Sequence, residues 1–255
     1  KKLETLKGES TLKDTKAQYL LPQTLGSEAD GQYVSVTEAI LNQEGLTNVQ
    51  LVSPIIEQLP ETVSDFDLFV RAILTGDLLY LVPRKHREAV VPSSILGWKE
   101  LESFAKQIAK LPVRDTVIGV TGTPMCLSVL NDGILDELEN EYTILRAPLI
   151  EYFYFLWKEN GCDDSIIAEL ERHIKMIGNL LERRNPFSSG DQELFSTADY
   201  YLPNFAGANG RFRFAKTVEL SKKTDAMLTI APRYENTSMI LQMRGLKQAC
   251  QASLY

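Results

Sequence analysis

Residues 116–131, TVIGVTGTPMCLSVLN, decide the fold. Thr116 to Val120 is a short apolar, β-branched run. It breaks at Thr121-Gly122-Thr123-Pro124, and a helical pattern starts near Ser128. That spacing predicts a buried strand, a tight loop and a helix. In an open α/β sheet, ligands lie outside the carboxyl ends of such strands, so the loop after Gly122 is a candidate site.

Working outward, the same alternation recurs on both sides. Upstream, 17–21 and 49–52 read as strands. The spacing predicts helices over 33–43 (stopped by Gly45), 65–80 and 98–109, with a loop at 83–92 between two prolines. Downstream, 142–145 and 226–230 read as strands. Helices are expected over 128–139, 148–160, 163–182, 207–220 and 235–249, with a turn at 185–191. Asp163, Asp164 and Ser165 are the cap candidates for the helix they open. Strands alternating with helices predict βαβ units and a mostly parallel sheet. The expected fold is α/β, with two Rossmann-like lobes. These are an N-terminal lobe over 1–112 and a C-terminal lobe over 113–255, with a helical insertion around 158–205.

A chain of 255 residues with 44% hydrophobic and 24% charged residues can bury a proper core. A net charge of −7 argues against nucleic acid as the main partner, because phosphate binding needs a basic face. No apolar run approaches the ~20 residues of a spanning helix, and the opening residues lack the apolar core of a secretion signal. A cytoplasmic protein with no membrane partner is expected. The three cysteines, Cys126, Cys162 and Cys250, are far apart and form no metal-binding spacing or disulfide framework.

Chemistry could reside at four strand ends: Leu25 to Gly31, Gly122 to Cys126, Pro203 to Gly210 and Pro232 to Thr237. The Gly122 loop reads as an anion cradle at a helix N-terminus or as an ordinary tight turn. Ala206 to Gly210, with Asn209, precedes Arg211 and Arg213, and reads as a second anion site or a flexible loop. Cys126 is a strand-end thiol or a buried one. His86 and His173 lie in charged surroundings, are expected at the surface and have no nearby nucleophile. Tyr152, Phe153, Tyr154, Phe155 and Trp157 make the 148–160 helix aromatic all round, which predicts burial or a protein interface. Glu151 at its start is a first-turn helix charge or a pocket carboxylate. Asp132, Asp136, Glu137 and Glu139 read as a solvated helix face.

Three ordered blocks carry a resemblance. They are GSEADGQYVSVTEAILNQEGLTNVQLVSPIIEQ from Gly26 with the later Thr75-Gly76-Asp77-Leu78-Leu79, the stretch from Val117 to Trp157 with Pro148-Leu149-Ile150-Glu151-Tyr152, and the stretch from Gly210 to Leu246 with Ala231-Pro232. In this order they resemble the 2-hydroxyacyl-CoA dehydratase activase-related and dehydratase-like superfamily. The resemblance covers most of the chain from about residue 17. It implies a [4Fe–4S] cluster held by cysteines in strand-end loops. At the corresponding positions stand Glu28, in Gly26-Ser27-Glu28-Ala29-Asp30-Gly31-Gln32-Tyr33, then Thr123, and Glu235, in Pro232-Arg233-Tyr234-Glu235-Asn236-Thr237.

Thiolates match cluster irons, whereas carboxylates and a hydroxyl do not. The resemblance therefore implies a cytoplasmic accessory or ligand-binding member that has lost its cluster, with a small-molecule or acyl-CoA-type ligand in a cleft between the lobes. Glu28, Asp30, Gly122, Thr123, Cys126, Asn209, Arg211 and Glu235 would face that cleft. One alternative is an active [4Fe–4S] redox component using Cys126 and ligands from a partner. Another is a metal- or carboxylate-dependent enzyme built on Glu28 and Glu235, which otherwise serve as helix-terminal charges.

Overall fold

Short, mostly apolar runs form the strands, and helical stretches return the chain between them. A computed structural model of the chain describes residues 17–24, 30–122, 132–188, 191–203, 208–230, 243, 245–250 and 253–254. The chain divides into two compact units, residues 1–62 and 63–255.

In the first unit, β1 (Ala17–Leu20) and β2 (Val49–Val52) pair in parallel, from Ala17 opposite Val49 to Leu20 opposite Val52. The crossover a parallel pair requires is α1 (Asp30–Gln43). Gly45 follows it with φ +69°, a conformation that glycine reaches without a Cβ penalty. A short helix, α2 (Leu59–Thr62), closes the unit.

The second unit opens with α3 (Phe66–Tyr80), α4 (Arg84–Val90) and α5 (Trp98–Ala109). Asp65 caps α3 by accepting the Leu68 N–H at 2.8 Å, and Glu100 reaches back to the Gly97 N–H at 2.7 Å to fix the start of α5. Then come β3 (Val117–Gly122), α6 (Asp132–Leu138), β4 (Thr143–Arg146), α7 (Leu149–Glu159) and α8 (Asp164–Leu181). The described elements end with α9 (Asp191–Tyr201), α10 (Ala208–Ser221), β5 (Ala226–Ile230) and β6 (Ser253–Leu254). The strands form one parallel sheet in the order β4-β3-β5-β6. β3 is hydrogen-bonded on both sides, and Val120 at its centre is fully buried, as its continuous apolar run requires. Helices α3 and α5, which the sequence reading assigns to the N-terminal lobe, pack in this second unit, α3 on α7 and α5 on α8.

The aromatic helix α7 lies inside this unit: Ile150 to Trp157 are each no more than 3% exposed. Trp157 and Phe153 meet Phe66 and Phe69 of α3, Phe155 stacks on Phe195 of α9 at 4.4 Å, and Tyr152 meets Phe212 of α10 at 5.4 Å. Burying each such ring contributes about 1.5–3 kcal/mol. Burial within the chain thus accounts for the aromatic run.

Some local expectations differ from the structure. Residues 84–90, expected as a loop, are helical: Pro83 supplies a fixed φ of −54° at the entry, and the helix carries RKHREAV with no apolar stripe to announce it. α9 has only a short apolar face, with Leu194 and Ala198 buried. β6 adds a strand of two residues opposite Ala226 and Met227. His173 is 6% exposed rather than at the surface, its ring stacked 3.5 Å from that of Trp98. Burial and the neighbouring Arg172 charge push its pKa down. Asp163 caps α8 through the Ser165 N–H at 2.8 Å, as its position suggests.

Candidate functional site

β4 ends at Arg146, and Ala147-Pro148 leads directly into α7. Proline at this point offers no side-chain cap. The cap comes from another helix: Asp77 of α3 accepts the N–H groups of Leu149 and Ile150 at 2.8 and 2.9 Å. A carboxylate there also meets the positive end of the α7 dipole.

A cavity of about 130 Å³ opens at this junction. Ala72, Ile73, Gly76, Asp77 and Tyr80 of α3 form one wall, and Arg146 to Leu149 with Pro186 form the other. It lies at the carboxyl end of a parallel strand, where open α/β sheets bind ligands. Burial pushes the Asp77 carboxyl up to about 7, with the Glu151 charge acting in the same direction. The two N–H bonds and the Lys216 charge pull the other way. Near neutral pH the cavity therefore presents a carboxyl that can either accept or donate a hydrogen bond.

Behind this wall lies a buried ion pair. Glu151 of α7 and Lys216 of α10 are in contact, with side chains 4% and 0% exposed. Glu151 also accepts the Ser188 N–H at 2.7 Å. Lys216 donates to the Pro186 carbonyl at 2.6 Å and to Ser188 Oγ at 3.1 Å. Lys216 has two hydrogen-bond acceptors and a carboxylate counter-charge. Lys216 is thus a donor to Ser188 Oγ and not the base a serine nucleophile needs. Glu151, open between a helix charge and a pocket carboxylate from sequence, is half of this pair.

Beside the cavity, the guanidinium groups of Arg87 and Arg146 sit against the Tyr80 ring, 5.3 and 4.7 Å from its centroid. Both face Glu139 Oε1, at 3.5 and 3.7 Å, while Glu139 Oε2 accepts the Arg84 N–H at 2.9 Å. Asp136 pairs with Arg84. Of the expected solvated acidic face, Glu137 is exposed, whereas Glu139 and Asp136 are drawn onto the arginines of α4 and β4.

The residues singled out from sequence are placed as follows. Glu28, Thr123, Cys126 and Glu235 lie outside the described residues, and so do most of the strand-end loops that carry them. Asp30 opens α1 in the first unit. Gly122 ends β3 at the point where the sheet order reverses between β4 and β5, and a Cβ there would lie 1.8 Å from the Ile230 carbonyl oxygen. Its φ of +156° and that close approach admit glycine alone. Asn209 is buried in the first turn of α10. Arg211 is held by Glu159, at 2.5 Å, and by Asp199. It is therefore a structural bridge between α7, α9 and α10. Among the described residues no group of three or more His, Cys, Asp or Glu could hold a metal ion. The two described cysteines, Cys162 and Cys250, are free thiols.

Sequence reasoning missed Gly76, Asp77, Tyr80, Arg146 and Lys216. The available signals were a lone acid in the apolar run AILTGDLLY and a lone lysine in RFRFAKTVEL. Fold and site together define a mixed α/β protein with two small parallel sheets and a strand-end cavity. Among the described residues no helix is long and apolar enough to cross a membrane. The chain matches no family model, no curated protein and no solved structure.

Proposed function

We propose that this chain is a small-ligand-binding protein, taking a mostly apolar molecule of about benzene size in the cavity between α3 and the β4–α7 junction. The observation that carries this reading is the cavity itself: about 130 Å³, at the carboxyl end of a parallel strand, with the Asp77 carboxyl on its wall. A cavity of about 150 Å³ is known to hold benzene. The Asp77 carboxyl supplies a polar contact that orients a ligand in a mostly apolar pocket, with Tyr80 and Arg146 also on the lining. The ligand class is a small ring or short acyl body carrying one hydroxyl or amide.

This reading fits an accessory or ligand-binding member of the dehydratase-like superfamily, with Rossmann-like lobes and an acyl-type ligand. It has no role for an iron–sulfur cluster. The donor set at the implied positions, Glu28, Thr123 and Glu235, is all oxygen and does not fit cluster irons.

Thermal unfolding in the presence of phenol and benzyl alcohol tests the binding. A ligand that binds only the folded state raises Tm with concentration. A concentration-dependent rise is expected at pH 7, and its absence with both probes would overturn the assignment. Iron analysis of anaerobically purified protein tests the cluster-free reading, which stoichiometric iron with a visible absorbance band would contradict.

A further inference from the structure

A second cavity, of about 120 Å³, lies at the opposite end of β4, beside Tyr142 and Thr143. Its basic wall is Lys85, His86, Arg114 and Arg184, and Glu139 is the one acid among the lining residues. That balance is unusual in a chain with a net charge of −7.

Among the described residues no carboxylate is in ion-pair contact with Lys85, Arg114 or Arg184. Arg184 is 4% exposed and gives its hydrogen bonds to the backbone carbonyls of Leu81, Leu111 and Pro112. Arg114 Nη2 donates to the Asn140 carbonyl at 3.1 Å, while its backbone N–H is taken by Thr143 Oγ1 at 2.7 Å. Carbonyl oxygens satisfy N–H groups without cancelling a charge. Glu139 favours the charged form of Arg184, but it is one carboxylate shared with the Arg84 N–H and with Arg87 and Arg146. Burial of the Arg184 guanidinium destabilises its charged form, which an anion alongside would offset.

We propose that this cavity is an oxyanion site, taking a phosphate group bound by Arg114, Arg184 and Lys85, with His86 at its rim. Guanidinium forks and a lysine ammonium are the groups that recognise phosphate oxygens. The volume admits a phosphoryl group with a few further atoms, so the occupant is free phosphate or a small phosphomonoester. The site is separate from the Asp77 cavity, and either can exist without the other.

Calorimetric titration of the full chain at low ionic strength tests it, with inorganic phosphate and glycerol phosphate as probes. Saturable one-to-one binding is expected. The Lys85→Ala/Arg114→Ala double variant is expected to bind ~10-fold more weakly or worse. Both side chains are exposed, so the variant is expected to keep the wild-type circular dichroism spectrum. Lys175→Ala, exposed on α8, controls for net charge and is expected to bind like wild type. Tighter binding of glycerol phosphate assigns the site to phosphomonoesters, and tighter binding of inorganic phosphate assigns it to the free anion. The site is refuted by an absence of saturable binding with both probes, by an equal loss in Lys175→Ala, or by competition from chloride equal to that from phosphate.

Discussion

Gly76 stands inside α3, where glycine weakens a helix by roughly 0.5–1 kcal/mol relative to alanine. Packing does not demand it, since a Cβ at this position would meet nothing within 4 Å. What a side chain would occupy is the cavity. Gly76→Ala is therefore expected to stabilise the protein by about 0.5–1 kcal/mol, measured as a higher urea midpoint at constant slope. A loss of stability would show that the backbone there is constrained in another way. The buried pair Glu151–Lys216 behaves oppositely. Lys216→Met leaves Glu151 without its counter-charge and is expected to cost about 3–5 kcal/mol. The Glu151→Leu/Lys216→Met double variant is expected to recover most of that loss, because an apolar pair can replace a buried ion pair. A double variant as unstable as the single would mean that the pair does more than neutralise itself. At this scale the sequence was only partly legible. Glu151 was conspicuous in an apolar setting, but its partner lies 65 residues away and only the packing of α10 on α7 joins them. Gly76 and Asp77 stood in a resemblance block without a site role, since their significance comes from the helix end that Asp77 meets.

The element that organises the site is α7, entered through Pro148 and capped from α3. Burial holds the folded pKa of the Asp77 carboxyl at about 7, above the ordinary aspartate value of 3.8. A group raised in this way binds a proton in the folded state over a range where the unfolded chain has released it. Its contribution to stability is fully present below pH 3.8 and is lost as pH rises through about 7. The stability difference between wild type and Asp77→Asn is thus expected to shift against wild type between about pH 4 and 7, as read from thermal unfolding at several pH values. A shift in favour of wild type would mean a depressed, salt-bridged carboxylate instead. Trp157 is fully buried, and Trp157→Ala is expected to cost about 3–5 kcal/mol. The central strands were legible because β-branched runs bounded by glycine and proline have few other readings. α4 was not, because its seven residues form one charged surface whose stability comes from Pro83 and from acids on α6 and just after it. The aromatic run announced burial or an interface, and its rings found partners within the chain on α3, α9 and α10.

At the scale of the molecule, residues 63–255 carry their own four-stranded sheet, the aromatic helix and both cavities. That size is usual for a domain. A chain of residues 63–255 is expected to unfold cooperatively with the circular dichroism of a mixed α/β protein, and a molten, uncooperative chain would contradict that division. Parallel strands alternating with helices were readable from the period of the apolar residues. The division of the chain was less so, because α3 and α5 reveal their allegiance only through the partners they pack on, α7 and α8. The central claim is that the space beside Gly76 and Asp77 holds a small ligand. It is tested most directly by ligand-observed fluorine NMR with para-fluorophenol, comparing wild type with Gly76→Leu, whose side chain fills the cavity. The account predicts saturable broadening of the probe signal by wild type and none by a Gly76→Leu protein that retains a cooperative thermal transition. Equal broadening by both proteins, or none by wild type, would contradict it.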